Sequence, residues 1–171
     1  MRISTKRIVF SALLAALTCV ATVIINIPSP LKGYLNLGDC VVLLSGWILT
    51  PVYGFLAAGI GSALADLFLG YTVYVPATFV IKGMMAVLSH GAFSLCVKKT
   101  HGFIARLVSG IAAEALMICG YFIFEGFLYG FAASSVNIPA NAVQGAAGLI
   151  LGLPLMRLLE KSRALQLSEI R

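Results

Sequence analysis

Charge is what this sequence has least of. Only 11% of its 171 residues are Asp, Glu, Lys or Arg, against about 25% in an ordinary soluble domain. Apolar residues make up 60%, where about 45–50% is usual. A soluble fold of this size needs a polar surface that the chain cannot supply. Acidic residues are scarcest: six stand against twelve Lys and Arg, a formal net charge of +6. On a soluble protein that excess would raise the question of nucleic acid. Here the basic residues sit in short clusters between apolar runs and read as orientation signals, so no nucleic acid is expected.

Cysteine is sparse and unpaired in pattern. Cys19, Cys40, Cys96 and Cys119 are scattered through apolar stretches with no CxxC spacing. That excludes an obvious zinc site or redox pair, and the four read as small buried apolar residues. The phosphate-cradling GxxxxGK[ST] loop, the HExxH zinc motif and the GxSxG elbow are all missing. The loops are too short to hold a catalytic domain. No catalytic residue, metal or cofactor is assigned, and the chain is not expected to be an enzyme. If it moves a solute at the expense of ATP, another chain hydrolyses the ATP.

What the chain has in abundance is apolar runs. Crossing a membrane takes roughly 20 apolar residues. Helices are predicted over residues 8–25, 38–49, 52–69, 77–97, 103–129 and 134–159, with 1–171 forming one transmembrane domain. The first run is longer than the 7–15 apolar residues of a signal peptide, so it reads as a retained helix. The second is short and ends at Thr50-Pro51. A loop over residues 28–37 carries Pro28, Pro30, Gly33 and Tyr34, and another spans residues 70–76.

Charge sets the orientation. Arg2, Lys6 and Arg7 precede the first helix. Lys98, Lys99 and Arg106 lie between the fourth and fifth, and Arg157, Lys161, Arg163 and Arg171 end or follow the sixth. In a six-helix chain these fall on one side, with Lys32 alone on the other. The positive-inside rule places both termini in the cytoplasm. The prediction is an all-α, six-helix bundle in a bacterial-type plasma membrane.

Ionisable groups inside hydrocarbon are costly and ask for a reason. They are Asp39, Asp66, Lys82, His90, Glu114 and Glu125, four of them toward the outer side. Asn137, Asn141 and Gln144 follow at i, i+4, i+7, within roughly 60° of helical arc. Glu114 and Glu125, eleven apart, share a face within roughly 20°. Together they describe a polar cavity open to the outside. Asp39 taken alone fits a helix N-cap, Asp66 fits a partner for Lys82, and the roles of His90 and Glu114 stay open. Tyr121, Phe122, Phe124, Phe127, Tyr129 and Phe131 crowd the outer end of the fifth helix. They suit an interfacial belt, or a stack on a flat ring for those on the Glu125 face. Small residues line the first helix (Ala12, Ala15, Ala16) and the third (Gly54, Ala58, Gly61, Ser62, Ala65), where they let helices approach closely.

The ordered set resembles the substrate-specific S components of energy-coupling factor (ECF) vitamin transporters. Its carriers are Ala12-xxx-Ala16, Gly33-Tyr-Leu-Asn-Leu-Gly-Asp39, Gly59-Ile-Gly-Ser-Ala-Leu-Ala-Asp66 and Ile81-Lys-Gly83. The most specific is Glu125-Gly-Phe-Leu-Tyr-Gly-Phe-Ala-Ala133 with Ile138-Pro-Ala-Asn141-Ala-Val-Gln144. The resemblance implies a pocket built chiefly from the fourth, fifth and sixth helices and the loop after the first. It implies Lys82, Glu125, Asn137, Asn141, Gln144 and Tyr121 as pocket residues, with Tyr34 and Asn36 in a lid over residues 28–36. Ala12, Ala15 and Ala16 would dock a transmembrane coupling subunit driven by two ATPase subunits. The implied ligand is a water-soluble vitamin or precursor, of pyridoxine or hydroxymethylpyrimidine type, with riboflavin next. Two other classes compete. One is a membrane-embedded enzyme using Glu114, Glu125 or His90. The other is a stand-alone proton- or ion-coupled carrier with Asp66, Lys82 and Glu114 as relay.

Overall fold

The computed structural model describes residues 5–29 and 31–162. Arg2, Pro30, Arg163 and Arg171, used in the charge and loop readings above, lie outside them.

The chain is almost wholly helical. Helix α1 (Thr5–Ile24) leads into two short strands, β1 (Ile27–Pro28) and β2 (Tyr34–Leu35). There follow α2 (Gly38–Ile48), α3 (Pro51–Phe68), α4 (Val75–Cys96), α5 (Gly102–Tyr129) and the single turn α6 (Phe131–Ser134). A 3₁₀ turn (Ser135–Asn137) then opens α7 (Ile138–Lys161). The six predicted helices are all present, with ends shifted by a few residues. Two details differ. The loop after α1 is an antiparallel hairpin, pairing Ile27 with Leu35 and Pro28 with Tyr34. The last predicted helix is broken near its start, so that Asn137 sits in the 3₁₀ turn.

Among the described residues, five segments are long and apolar enough to cross a membrane: α1, α3, α4, α5 and the run Phe131–Lys161. Helix α2 has 11 residues, about 16 Å at 1.5 Å per residue, roughly half a bilayer core. Every residue from Gly38 to Ile48 is buried, enclosed by α1, α3, α4 and α7. An apolar helix with no polar face belongs at the centre of a bundle. Its Trp47 finds the hydrogen-bond acceptor that a buried indole needs, the Ser109 hydroxyl at 3.0 Å.

Close packing between helices rests on small residues, since apolar side chains gain little by leaving lipid for one another. A Cβ on Gly61 would stand 2.4 Å from the Ala15 carbonyl oxygen, and one on Gly46 would stand 2.6 Å from that of Ala86. All five small residues named on α3 are buried. The tight turns leaving α3 and α5 use Gly70 and Gly130, at φ +82° and +89°, a region that side chains rarely tolerate.

Cysteine placement departs from expectation. Only Cys40 is buried; Cys19 and Cys96 are half-buried, and Cys119 is exposed. Exposure costs a thiol little where the surroundings are lipid. Apart from Lys32 in the hairpin and Lys82 at the cavity, the described basic residues lie at the helix ends away from the hairpin. There Arg106 pairs with Glu160 and Arg157 stacks 4.2 Å from the Phe103 ring centre.

Candidate functional site

The polar residues converge at the hairpin end. One cavity is walled by α1, α3, α4, α5, the start of α7 and the hairpin. All eight pocket residues expected from the sequence line it: Tyr34, Asn36, Lys82, Tyr121, Glu125, Asn137, Asn141 and Gln144. It is tight, enclosing about 30 Å³, room for roughly two water molecules. A wider depression of about 390 Å³ adjoins it, sharing Ser29, Gly33, Tyr71 and Tyr74 as wall.

Two hydrogen-bonded systems shape the floor and the side. On the floor, Lys82 forms an ion pair with Asp39 Oδ1, both side chains nearly inaccessible. Gln144 Nε2 donates to Asp39 Oδ2 at 2.7 Å. Gln144 Oε1 in turn accepts from the Asn36 backbone and side-chain nitrogens at 3.0 and 3.3 Å. Asn36 Oδ1 accepts from the Gly38 backbone N–H at 2.9 Å. This corrects two expectations. Asp39 caps no helix, since α2 begins without a side-chain cap, and the partner of Lys82 is Asp39 rather than Asp66. Helix α2 carries Asp39 into a fully enclosed position, where an ionised carboxylate must find a counter-charge.

On the side, Glu125 Oε1 accepts from Asn137 Nδ2 at 2.9 Å and from the Tyr74 hydroxyl at 3.2 Å. Asn137 Oδ1 accepts from the Leu31 backbone N–H at 3.2 Å. The Tyr34 hydroxyl donates to Asp66 Oδ1 at 2.5 Å. Burial, with Asp66 beside it, pushes the Tyr34 hydroxyl above the ordinary tyrosine range, and burial with Glu125 does the same at Tyr74. Both rings therefore hold their protons and act as donors. The hairpin is thus fastened down by the side chains that line the cavity: Asp66, Asn137 and Gln144.

Helical spacing explains who faces inward. Tyr74, the residue before α4, stands at i with Thr78 and Lys82 at i+4 and i+8 on that helix, Tyr121 and Glu125 stand at i, i+4 on α5, and Ser62 and Asp66 at i, i+4 on α3. Each set lies on one face. Tyr121 exchanges a hydrogen bond with Thr78 at 3.0 Å, and Lys82 Nζ lies 5.5 Å from its ring centre. Thr22, Ser29, Gly33, Ser62, Asp66, Tyr71, Tyr74 and Thr78 complete the wall. Ser29 and Gly33 belong to the expected lid and Asp66 to the ionisable groups expected to describe the cavity; Thr22, Ser62, Tyr71, Tyr74 and Thr78 were not expected there. The i, i+4 polar pairs on α3 and α4 were the signal available.

Glu114 stands apart. It does not line the cavity but lies against α7, where a Cβ on Gly145 or Gly148 would come within 2.9 and 3.0 Å of its carboxylate oxygens. Among the described residues nothing donates a hydrogen bond to either oxygen. His90 Nδ1 lies 3.2 Å from the Gly46 carbonyl oxygen, well away from the cavity. No group of three or more His, Cys, Asp or Glu among the described residues is placed to hold a metal ion.

The other small-residue face is on α1. Leu14, Thr18 and Thr22 form its buried stripe. Ala12 and Ala16 are exposed, roughly 160° around the helix from Leu14 at 100° per residue. Ala15 turns inward, its carbonyl meeting Gly61 of α3.

Comparison with known proteins gives concordant results. A family model described as ECF-type riboflavin transporter, S component, matches residues 2–161. A protein of Pyrococcus woesei, described only as uncharacterized, is 35% identical over 83% of this chain and 93% of its own length. The thiamine precursor transporter HmpT of Lactococcus lactis subsp. cremoris is 27% identical over 92% of this chain and 89% of its own. Among solved structures, the S component of a bacterial ECF transporter superimposes with a TM-score of 0.74 at 26% identity, covering 91% of this chain and 96% of that one. The S component for biotin from an ECF-type ABC transporter, with a TM-score of 0.56 at 18% identity, shares the fold.

Proposed function

The chain belongs to the family of ECF-type riboflavin transporter S components, and from that membership we propose that it captures a water-soluble vitamin or vitamin precursor outside the cell for ATP-driven uptake by partner subunits. The observation that carries this reading is the convergence of eight expected residues from five separate segments on one cavity. In this reading the hairpin end faces outward and the basic end faces the cytoplasm, in accord with the positive-inside rule. The chain is then a multi-pass protein of the plasma membrane with cytoplasmic termini.

A small heteroaromatic alcohol of pyridoxine or hydroxymethylpyrimidine type is the favoured ligand, with riboflavin next. The cavity is small, and its carboxylates and amides suit ring nitrogens, amino groups and hydroxyls. The relative described as a thiamine precursor transporter supports a precursor-sized ligand. Lys82, Glu125, Asn137, Asn141 and Gln144 would hold it, with Tyr121 against its ring and Tyr34 and Asn36 closing over it. Admission requires the hairpin to lift, merging the cavity with the depression beside it. Partners of the ECF kind, a transmembrane coupling subunit and two ATPase subunits, would engage the Ala12 and Ala16 face of α1.

A thermal-shift screen of the purified chain in detergent, against vitamins and their precursors, tests the reading. A tight ligand raises apparent stability by mass action, about 2.7 kcal/mol at a hundredfold excess over Kd. One small-ring alcohol is expected to stabilise the chain clearly. A flat response from folded protein contradicts the proposal.

A further inference from the structure

Five buried polar atoms on the cavity wall find no partner among the described residues. They are the hydroxyls of Thr22, Ser29 and Ser62 and one carboxylate oxygen each of Asp66 and Glu125. Orphaned buried polar groups are uncommon, because each carries a desolvation cost. Here they are gathered on one small cavity, and the two carboxylic side chains belong to residues only 3% and 2% exposed. The hydroxyls beside them make no hydrogen bond to these oxygens. Thr78 stands next to Asp66 and exchanges a hydrogen bond with Tyr121 at 3.0 Å, in which either hydroxyl can donate. Ser134 stands next to Glu125 but donates to the Phe122 carbonyl at 2.8 Å.

Positive charge is the reverse case. Among the described residues Lys82 is the one cationic side chain that lines the cavity, and Asp39 already holds it. Inside the cavity a ligand therefore meets two carboxylate oxygens in need of donors and, among the described residues, no uncommitted cation; Lys32 stands outside it, on the adjoining depression. The rings of Tyr34, Tyr71 and Tyr74, with centroids 4.7 and 6.3 Å apart in succession, run from the Asp66 end to the Glu125 end.

Resting on the ligand-capture reading above, we infer that Asp66 and Glu125 are paired specificity determinants that each accept a hydrogen bond from the ligand, so that the site takes a neutral or cationic ring with donors at two positions and rejects its phosphate ester. A phosphate brings negative charge and acceptors only. In an enclosed site beside two carboxylates it would be repelled with no water to screen it. Lys82, the lysine inside the cavity, would have to abandon Asp39 to answer it, and Lys32 lies on the adjoining depression rather than beside the two carboxylates.

The test is calorimetric titration of the full chain with pyridoxine and with 4-amino-5-hydroxymethyl-2-methylpyrimidine, each beside its monophosphate ester. The inference predicts that whichever alcohol binds does so at least 100-fold more tightly than its ester. Asp66→Asn, which keeps the shape and still accepts from Tyr34, is expected to weaken that alcohol at least tenfold while the ligand-free thermal midpoint holds. An ester that binds as well as its alcohol would overturn the inference and leave ligand capture intact. So would an Asp66→Asn protein of unchanged affinity. If neither alcohol binds to folded protein, the inference and the small-ring reading beneath it both fail.

Discussion

Replacing Ala12 and Ala16 together by tryptophan is expected to abolish cellular uptake while leaving ligand affinity of the purified chain unchanged. Both positions are exposed on α1, opposite the buried stripe of Leu14, Thr18 and Thr22. The rest of that outer face is large and apolar, including Val9, Leu13, Leu17 and Val20. Against lipid alone, small residues there would have no advantage. Against another helix they permit close approach, and an indole at either site would hold the two backbones apart. Ala15 behaves differently. Its position against Gly61 makes bulk there a disturbance of the bundle itself. Uptake assays in whole cells, paired with binding measurements in detergent, check the point. Loss of binding in the double variant would mean that this face packs within the chain.

The second large effect is expected at Lys82. Removing one member of a buried ion pair leaves the other uncompensated, at a cost of about 3–5 kcal/mol. Lys82→Met should therefore lower the thermal midpoint in detergent sharply and fold poorly in membranes. Adding Asp39→Asn should recover most of the loss, because the orphaned charge is then gone while the amide still accepts from Gln144 or a neighbour. A single variant as stable as the unaltered chain would show that water or a rearranged neighbour meets Asp39, and that the floor of the cavity is looser than a closed Lys82–Asp39 pair.

The fold was largely legible because its signals are long. Apolar runs of 18 residues or more state their own helices, and the basic clusters state the two ends. The hairpin was not legible, since strands of two residues have no periodicity, and Ile27–Pro28 looks like any helix exit. The pocket was legible in its amides and in Glu125, which are conspicuous on apolar helices. Its hydroxyls were not, because Thr22, Ser62 and Thr78 are unremarkable in a membrane helix until their i, i+4 companions are noticed. The lysine partner was misjudged for a different reason. Sequence places Asp39 and Asp66 both within reach of Lys82. The choice depends on partners rather than enclosure, since both are buried: Asp66 meets the Tyr34 hydroxyl from the hairpin, while Asp39 meets Lys82 and Gln144.

The central claim is that the chain captures its ligand and depends on other subunits to move it. The direct test reconstitutes it in liposomes, alone and together with an ECF coupling subunit and two ATPase subunits, and follows the radiolabelled ligand found in the stability screen. The account predicts no accumulation by the chain alone, with or without an imposed proton or sodium gradient, and ATP-dependent accumulation by the complete assembly. Concentrative uptake by the chain alone, driven by an ion gradient, would contradict it and identify a stand-alone carrier.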